Sequence, residues 1–496
     1  MMWRGAGVGP LSATSKLLAV LAMVARGDPL HILRMKTLSL AVALSALMPC
    51  AAWADPVETL VAQEMARSNT PGVAVAVVDR GRIARVQGFG QANIEHGVPV
   101  HADTLFKVGA TGMQFTAAAV MLLVEDGKIE LDAPVLRYLP KAPAKWGKVT
   151  IRQLLDHTSG LPATPNGDFR TDYTNAELLA IIAAEDLNFP AGAHWRFSYA
   201  GYIVLGFVIE EVTGEHWSSF MAHRIFTPLG MNGARKIDEM AIISNRAAGY
   251  ELRESGMRNA EWVSPTANST ADGSLYLSAL DYAVWAQAVS ERRLLSPQSW
   301  DILAREARLG DGATCAYVPG WSVSMRGTQK AWGQLGSWQG FQGYTLRYPD
   351  RDLAIVVYAN GEKADVQRVA RTIAGLTDPS LALPPATPRT DVDSTTLKAR
   401  SFIEDLAKGR ARATDFTKFA KLDFDELTAL YGAMLANLGE LTEFALFDQS
   451  PSCGETTYRY RARYTKGMVD IQLGLTSAGK IVNLEISPLS EWTQPL

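Results

Sequence analysis

The sequence predicts an α/β protein in which an antiparallel sheet is flanked by helices, with a small α+β domain behind it. Three observations predict this. Two strand-turn-strand patterns lie near opposite ends of residues 55–377, at residues 73–89 and 344–358. The residues between them mostly follow the 3.6-residue period of helices. Beyond a proline-rich break, the pattern changes to two helices followed by four strands.

Residues 1–54 read as a leader rather than as part of the fold. Met35-Lys36 precedes an apolar run, Leu38–Met48, and Ala52-Trp53-Ala54 precedes Asp55. These are the charged, apolar and small-residue parts of a secretory signal, with cleavage expected after Ala54. The run is shorter than the roughly 20 residues of a membrane span, so no span is expected. A second apolar patch, Leu17–Val24, leaves two readings open: translation starting at Met35, or a two-part leader starting at Met1.

Val73, Val75 and Val77 alternate with Ala, the chain turns at Asp79-Arg80-Gly81, and a second strand runs from Ile83 to Phe89. The Ala- and Leu-rich stretch Thr111–Glu125, stopped at Gly127, predicts a helix, as does Tyr202–Val212, stopped at Gly214. Tyr344–Tyr348 and Leu353–Tyr358 form the second hairpin, turning at Pro349-Asp350. Four prolines between Asp378 and Pro388, without apolar periodicity, mark residues 378–391 as a linker. Residues 392–496 then predict helices near Leu397–Lys408 and Phe424–Leu438, and strands near Thr442–Phe447, Thr456–Tyr464, Val469–Leu475 and Lys480–Ile486. In the second of these strands Arg459, Arg461 and Arg463 share one face, either a solvated sheet face or a basic surface for an anionic partner.

A composition of 47% hydrophobic and 20% charged residues is that of a globular chain too long for one small domain. The formal charge is −3; the leader holds five basic residues and one acid, so the remainder stands at −7. That balance gives no support to nucleic-acid binding. Outside the leader the only cysteines are Cys315 and Cys453, on opposite sides of the linker. An oxidising compartment permits a disulfide, but two such distant thiols do not make a disulfide framework.

Three segments carry a family resemblance: Val149-Thr150-Ile151-Arg152-Gln153-Leu154-Leu155-Asp156-His157-Thr158-Ser159-Gly160-Leu161; Gly201-Tyr202-Ile203-Val204-Leu205-Gly206 running on to Val212-Thr213-Gly214; and Pro228-Leu229-Gly230-Met231. With them, residues 57–376 resemble the superfamily of serine β-lactamases, penicillin-binding proteins and class C esterases. The resemblance implies a β-lactamase/transpeptidase-like sheet-and-helix domain, a helical subdomain, and a cleft between the two. The helices-then-sheet order of residues 392–496 weakly resembles cone-shaped domains of the nuclear-transport-factor type.

Family chemistry uses a serine at the start of a buried helix, where unpaired N–H groups favour an oxyanion, and a lysine three residues on that takes its proton. In Phe106-Lys107-Val108-Gly109-Ala110-Thr111-Gly112-Met113 the frame is retained, with Ala110 at the serine position and Met113 at the lysine position. The second motif, a tyrosine followed two residues on by asparagine, reads Phe197-Ser198-Tyr199. The third, a basic residue before a Thr-Gly-like pair, reads Gln334-Leu335-Gly336, and glutamine neither carries charge nor titrates. The exchange of four polar positions together is coherent, because a lysine left beside Ala110 and Phe197 would be a buried charge without partners. The resemblance places two backbone oxyanion donors at Ala110 and Ser337.

Two functions follow. The first is an exported protein, of the bacterial periplasm or extracellular space, that binds a cell-wall-type peptide, a small ester or a protein partner without acylating it. Its cleft would be lined by Ala110, Phe197, Tyr199, Trp332, Gln334, Ser337 and Trp338, although these aromatics equally read as core filling an emptied site. The second is a serine-hydrolase-like enzyme acting on esters or amides through a relocated nucleophile, with Thr111 and Ser198 as candidates. His157 is expected to pack the cleft wall. No Gly-x-Ser-x-Gly elbow or His-Glu-x-x-His pair is found, so neither a metal nor a cofactor is expected.

Overall fold

The computed structural model describes residues 55–489, except 166, 327–328, 383–392 and 418–423. Helix α1 (Pro56–Ser68) leads into β1 (Gly72–Asp79), β2 (Arg82–Asn93) and the short β3 (Val98–Pro99). Far along the chain come β4 (Tyr317–Val318), β5 (Trp321–Arg326), β6 (Gln329–Trp338), β7 (Phe341–Tyr348) and β8 (Leu353–Ala359). They form one antiparallel sheet in the order β3-β2-β1-β8-β7-β6-β5-β4. The two predicted hairpins thus become neighbours, Val73 opposite Ala359 and Asp79 opposite Leu353. Arg80 and Gly81 join β1 to β2 with φ of 50° and 70°, the left-handed pair that a tight two-residue hairpin requires.

The sheet is buried on both faces, which explains why its central strands are nearly continuous in Val, Ala and Ile. Val73, Val75, Val77, Ile355 and Val357 pack with α1 and α6 (Val366–Thr377) on one side. Ala74, Ala76, Val356 and Tyr358 face the larger core, which holds α2 (Met113–Glu125), α3 (Tyr199–Thr213), α4 (Ala279–Ser290) and α5 (Pro297–Leu303). Helix α2 is buried all round from Met113 to Leu123, as the central helix of a core must be. Between α1 and α6, the buried Glu64 carboxylate accepts from Arg67 and Arg368. Burial opposes its charge, and these donors outweigh burial and hold its pKa below the ordinary value.

The first part of the expected linker is ordered: Pro379–Leu381 is a 3-10 turn and Leu381 is buried against the α1/α6 face. Residues 383–391 of that linker lie outside the described residues. Beyond it, α7 (Ser394–Ala407) packs on a four-stranded antiparallel sheet of β9 (Leu441–Ser452), β10 (Glu455–Tyr464), β11 (Gly467–Thr476) and β12 (Ile481–Leu489). Ile403, Leu406, Tyr460, Ala462, Ile471 and Leu484 form this separate core.

The arginine face of β10 has its own partners within the chain. Arg461 pairs with Asp470 and lies over Phe447, and Arg463 pairs with Glu443. Arg459 is half-buried within the electrostatic reach of Arg371 on α6 and Tyr344 on β7, so this end of the face is turned to the first domain. Cys315 and Cys453 form the single disulfide that the composition permitted, across the expected linker. The turn between β9 and β10 lies against residues 314–316: the Cys453 N–H donates to the Thr314 carbonyl and the Ala316 N–H to the Ser452 hydroxyl. Sequence separation gave no hint of this approach.

Candidate active site

The site is built where three backbones meet. Residues 106–107 pair with 276–277, and Gly109, at φ 53°, turns the chain into a 3-10 turn, Gly109–Gly112, that runs into α2. The expected helix start at Thr111 is therefore a tighter turn, with the α-helix beginning at Met113. Strand β5 pairs with β6 only over Gln329–Gly333, so Gln334–Trp338 has β7 on one side and is open to the Gly109–Gly112 turn on the other. A Cβ at Gly336 would lie 2.0 Å from the Val108 carbonyl oxygen and 3.1 Å from the Ala110 nitrogen. One at Gly109 would lie 2.8 Å from the Ser337 nitrogen. These approaches leave no room for side chains and bring the Ala110 and Ser337 amides to the same place, at the positive end of a buried helix.

Ala110 and Met113 are buried at this point, Met113 completely. The Gln334 side chain is buried too; its amide nitrogen donates to the neighbouring Leu335 carbonyl, and Oε1 has no partner among the described residues. Phe197 and Tyr199 are half-buried with ring centroids 5.0 Å apart. Burial, then the charge of Asp272, pushes the Tyr199 phenol up to about 12. Ser337 is exposed and its hydroxyl donates to Gln342. The Trp338 indole donates to Asn268, whose amide donates to Glu239, the partner of Lys107. Trp332 lines a different space, a cavity shared with Trp285 and Trp321.

The alternative nucleophiles are hydrogen-bonded in place. The Thr111 hydroxyl donates to the Val108 carbonyl at 2.8 Å. The Ser198 hydroxyl donates to the Pro162 carbonyl at 2.6 Å and accepts from the Gly201 N–H, capping α3. His157 accepts from the Ser198 N–H through Nδ1 and packs among Phe197, Tyr202 and Tyr317 at 4.5–5.1 Å. Burial pushes its imidazole down to about 3, so it stands neutral as a wall residue.

One residue absent from every motif belongs to this site. Asp272 precedes Gly273, whose Cβ position lies 3.0 Å from the Ala110 nitrogen. The carboxyl is buried, Oδ1 has no partner among the described residues, and burial pushes its pKa up to about 6. In sequence Asp272-Gly273 looks like an ordinary turn, and the only signal is an acid amid the small residues Ala271, Gly273 and Ser274.

Asp156, beside His157, gives a pH prediction. Burial pushes its carboxyl up to about 7, with Arg152 opposing. A folded-state pKa above the unfolded one gives stability that is present below the unfolded value, near 4, and is lost as pH rises through about 7. Asp156→Asn is expected to raise the melting temperature at pH 8 and to change it little at pH 4. Thermal melts at the two pH values check this, and an equal shift at both refutes it. His157 contributes oppositely, its depressed pKa costing stability as pH falls below about 6.5.

Among the described residues no group of three or more His, Cys, Asp or Glu is placed to hold a metal, and no helix is long and apolar enough to cross a membrane. Residues 57–378 match the Beta-lactamase family model. The chain belongs to the Beta-lactamase family. Among its relatives, Penicillin-binding protein 4* of Bacillus subtilis is 28% identical over 58% of this chain and 68% of its own length. Protein flp of Staphylococcus aureus is 22% identical over 61% of this chain and 62% of its own. The match thus spans about two thirds of these relatives. Solved structures share the fold: an octameric penicillin-binding protein homologue from Pyrococcus abyssi has a TM-score of 0.58 at 21% identity, covering 88% of this chain and 96% of its own. D-amino acid amidase from Ochrobactrum anthropi, complexed with L-phenylalanine, has 0.58 at 22%, covering 65% and 99%. The Pyrococcus likeness therefore runs on past the family domain.

Proposed function

We propose that this member of the Beta-lactamase family is an exported, non-catalytic binding protein. Its cleft would receive the carbonyl or carboxylate of a cell-wall-type peptide, an ester or a protein segment at the Ala110 and Ser337 amides, without acylation. The observation that carries the reading is the burial of Ala110 and Met113 at the turn that leads into α2. A methyl group and a thioether provide neither nucleophile nor base, while the amides that would hold an oxyanion are backbone and survive any exchange of side chains. Export is favoured by the leader pattern and by the Cys315–Cys453 disulfide, a bond that persists in oxidising compartments.

A fluorescent penicillin and a fluorophosphonate are expected to leave the purified protein unlabelled, with no turnover of nitrocefin or p-nitrophenyl esters. Covalent labelling mapped to Thr111 or Ser198 would overturn the reading. Absence of heat on titration with cell-wall peptides at millimolar concentration would remove the ligand half of it. The buried Oδ1 of Asp272, without a partner among the described residues, favours one second reading, hydrolysis by a carboxylate base. Ester turnover without covalent label, abolished in Asp272→Asn, would establish that reading.

A further inference from the structure

A separate cavity lies behind the candidate cleft, reaching Gln114 next to Met113. It encloses about 280 Å³ between α4, α5 and the strands β5 to β7. Four indoles line it: Trp321 and Trp332, 6.5 Å apart and inclined by 48°, and Trp285 and Trp300, 5.9 Å apart and inclined by 50°. One corner is polar. Arg347, 93% buried, donates to Asp352 at 2.9 Å, and the Ser290 hydroxyl donates to the same carboxylate. Asp352 sits at φ 46°, after the turn Pro349–Arg351, which aims it back toward α4. Arg292 and Ala304, both exposed, stand at the mouth, so solvent reaches the space.

The chemistry selects the occupant. The single buried positive charge of Arg347 is already neutralised by Asp352, so an anion would meet the carboxylate and a cation the guanidinium. A neutral molecule escapes both penalties. The guanidinium keeps N–H groups beyond its bond to Asp352, and the serine oxygen remains an acceptor, so the corner suits groups that both donate and accept. Indole faces are electron-rich and attract the positively polarised C–H groups on the apolar face of a saturated ring. The volume falls just below the roughly 300 Å³ at which drug-sized pockets begin, which is room for one ring with short substituents. We propose that this cavity binds a single neutral pyranose, its C–H face against the indoles and two hydroxyls bridging Arg347 and Asp352.

The proposal is independent of whether the cleft is catalytic. Titrating the purified protein with N-acetylglucosamine and with glucose, read by indole fluorescence and by calorimetry, tests it. The expected result is saturable quenching with a midpoint in the millimolar range. Asp352→Asn should weaken binding about tenfold, since it trades a charged acceptor for a neutral one. Trp332→Phe, a milder change, should weaken it less while removing part of the quenching. In the unaltered protein, the indole N–H resonances of the lining tryptophans should move and those elsewhere should not. No saturable signal with either sugar, binding unchanged in both variants, movement confined to other tryptophans, or saturation by indole-3-acetate alone would each overturn the assignment.

Discussion

Replacing Met113 by lysine is expected to lower the free energy of unfolding by about 3–5 kcal/mol, the cost of leaving a buried charge without a matched partner. Met113 is wholly buried at the first turn of α2, where the helix dipole already presents positive charge. Phe197 and Gln334 offer no negative charge, and burial favours the neutral form of the Asp272 carboxyl. Met113→Leu keeps volume and polarity and should cost less than about 1.5 kcal/mol. The lysine's folded pKa must fall below its unfolded value, so its penalty is fully present at low pH and shrinks as pH rises toward about 10. Urea unfolding at pH 7 and pH 10 measures both statements. A cost below about 1 kcal/mol at pH 7 would mean that the site accommodates a buried ammonium after all. Adding Ala110→Ser is not expected to restore nitrocefin turnover while Phe197 and Gln334 remain, because the proton-carrying phenol and the second positive charge are still missing.

How far the sequence could be read follows from which forces set each part. The hairpins were legible because valine alternation and the Arg80-Gly81 turn are local signals, and their partnership through Val73 and Ala359 follows once both must share one sheet. Helix α3 was legible in its body, but its start was read three residues late because the Ser198 cap lay inside a motif read for chemistry. At α2 the misreading was physical. Propensity puts Thr111 in a helix, whereas the close approach of Gly109, Gly273 and Gly336 forces a tighter turn, and that contact is long-range. Around the candidate cleft, Ala110, Phe197, Tyr199, Gln334 and Ser337 were named from the family frame on either side of them. Asp272 was not, since its significance comes only from the loop folding over Ala110. The cavity around Trp332 was equally hidden, because its four tryptophans come from separate segments whose meeting no periodicity encodes.

The same limit explains the disulfide, whose removal is the other large effect expected. Cys315 and Cys453 are 138 residues apart, so the bond closes a long loop in the unfolded chain. In the chain-entropy view, a loop of that size is worth between 4 and 5 kcal/mol, roughly, and measured losses for native disulfides run at about 2–5 kcal/mol. The native geometry around the bond does not depend on it alone: the Cys453 N–H still reaches Thr314, and Ala316 still reaches Ser452. Cys453→Ser should therefore leave a folded protein that is less stable. Its transition should also lose cooperativity, because the core of α7 and β9–β12 is separate from the larger one. The effect should reach the cleft wall. Cys453 and Trp195 both pack against the cluster of Ala307, Leu309 and Cys315, and the Trp195 ring lies 6.0 Å from that of His157, itself 4.5 Å from Phe197. Denaturant unfolding followed by tryptophan fluorescence, with and without reductant, measures this. Cys453→Ser and the reduced unaltered protein should coincide, and Cys315→Ser combined with Cys453→Ser should cost no more than either alone, since all three remove one bond. Two titratable thiols in the purified, unreduced protein, or a double variant markedly weaker than the single ones, would refute the assignment and leave the second domain held by its hydrogen bonds alone.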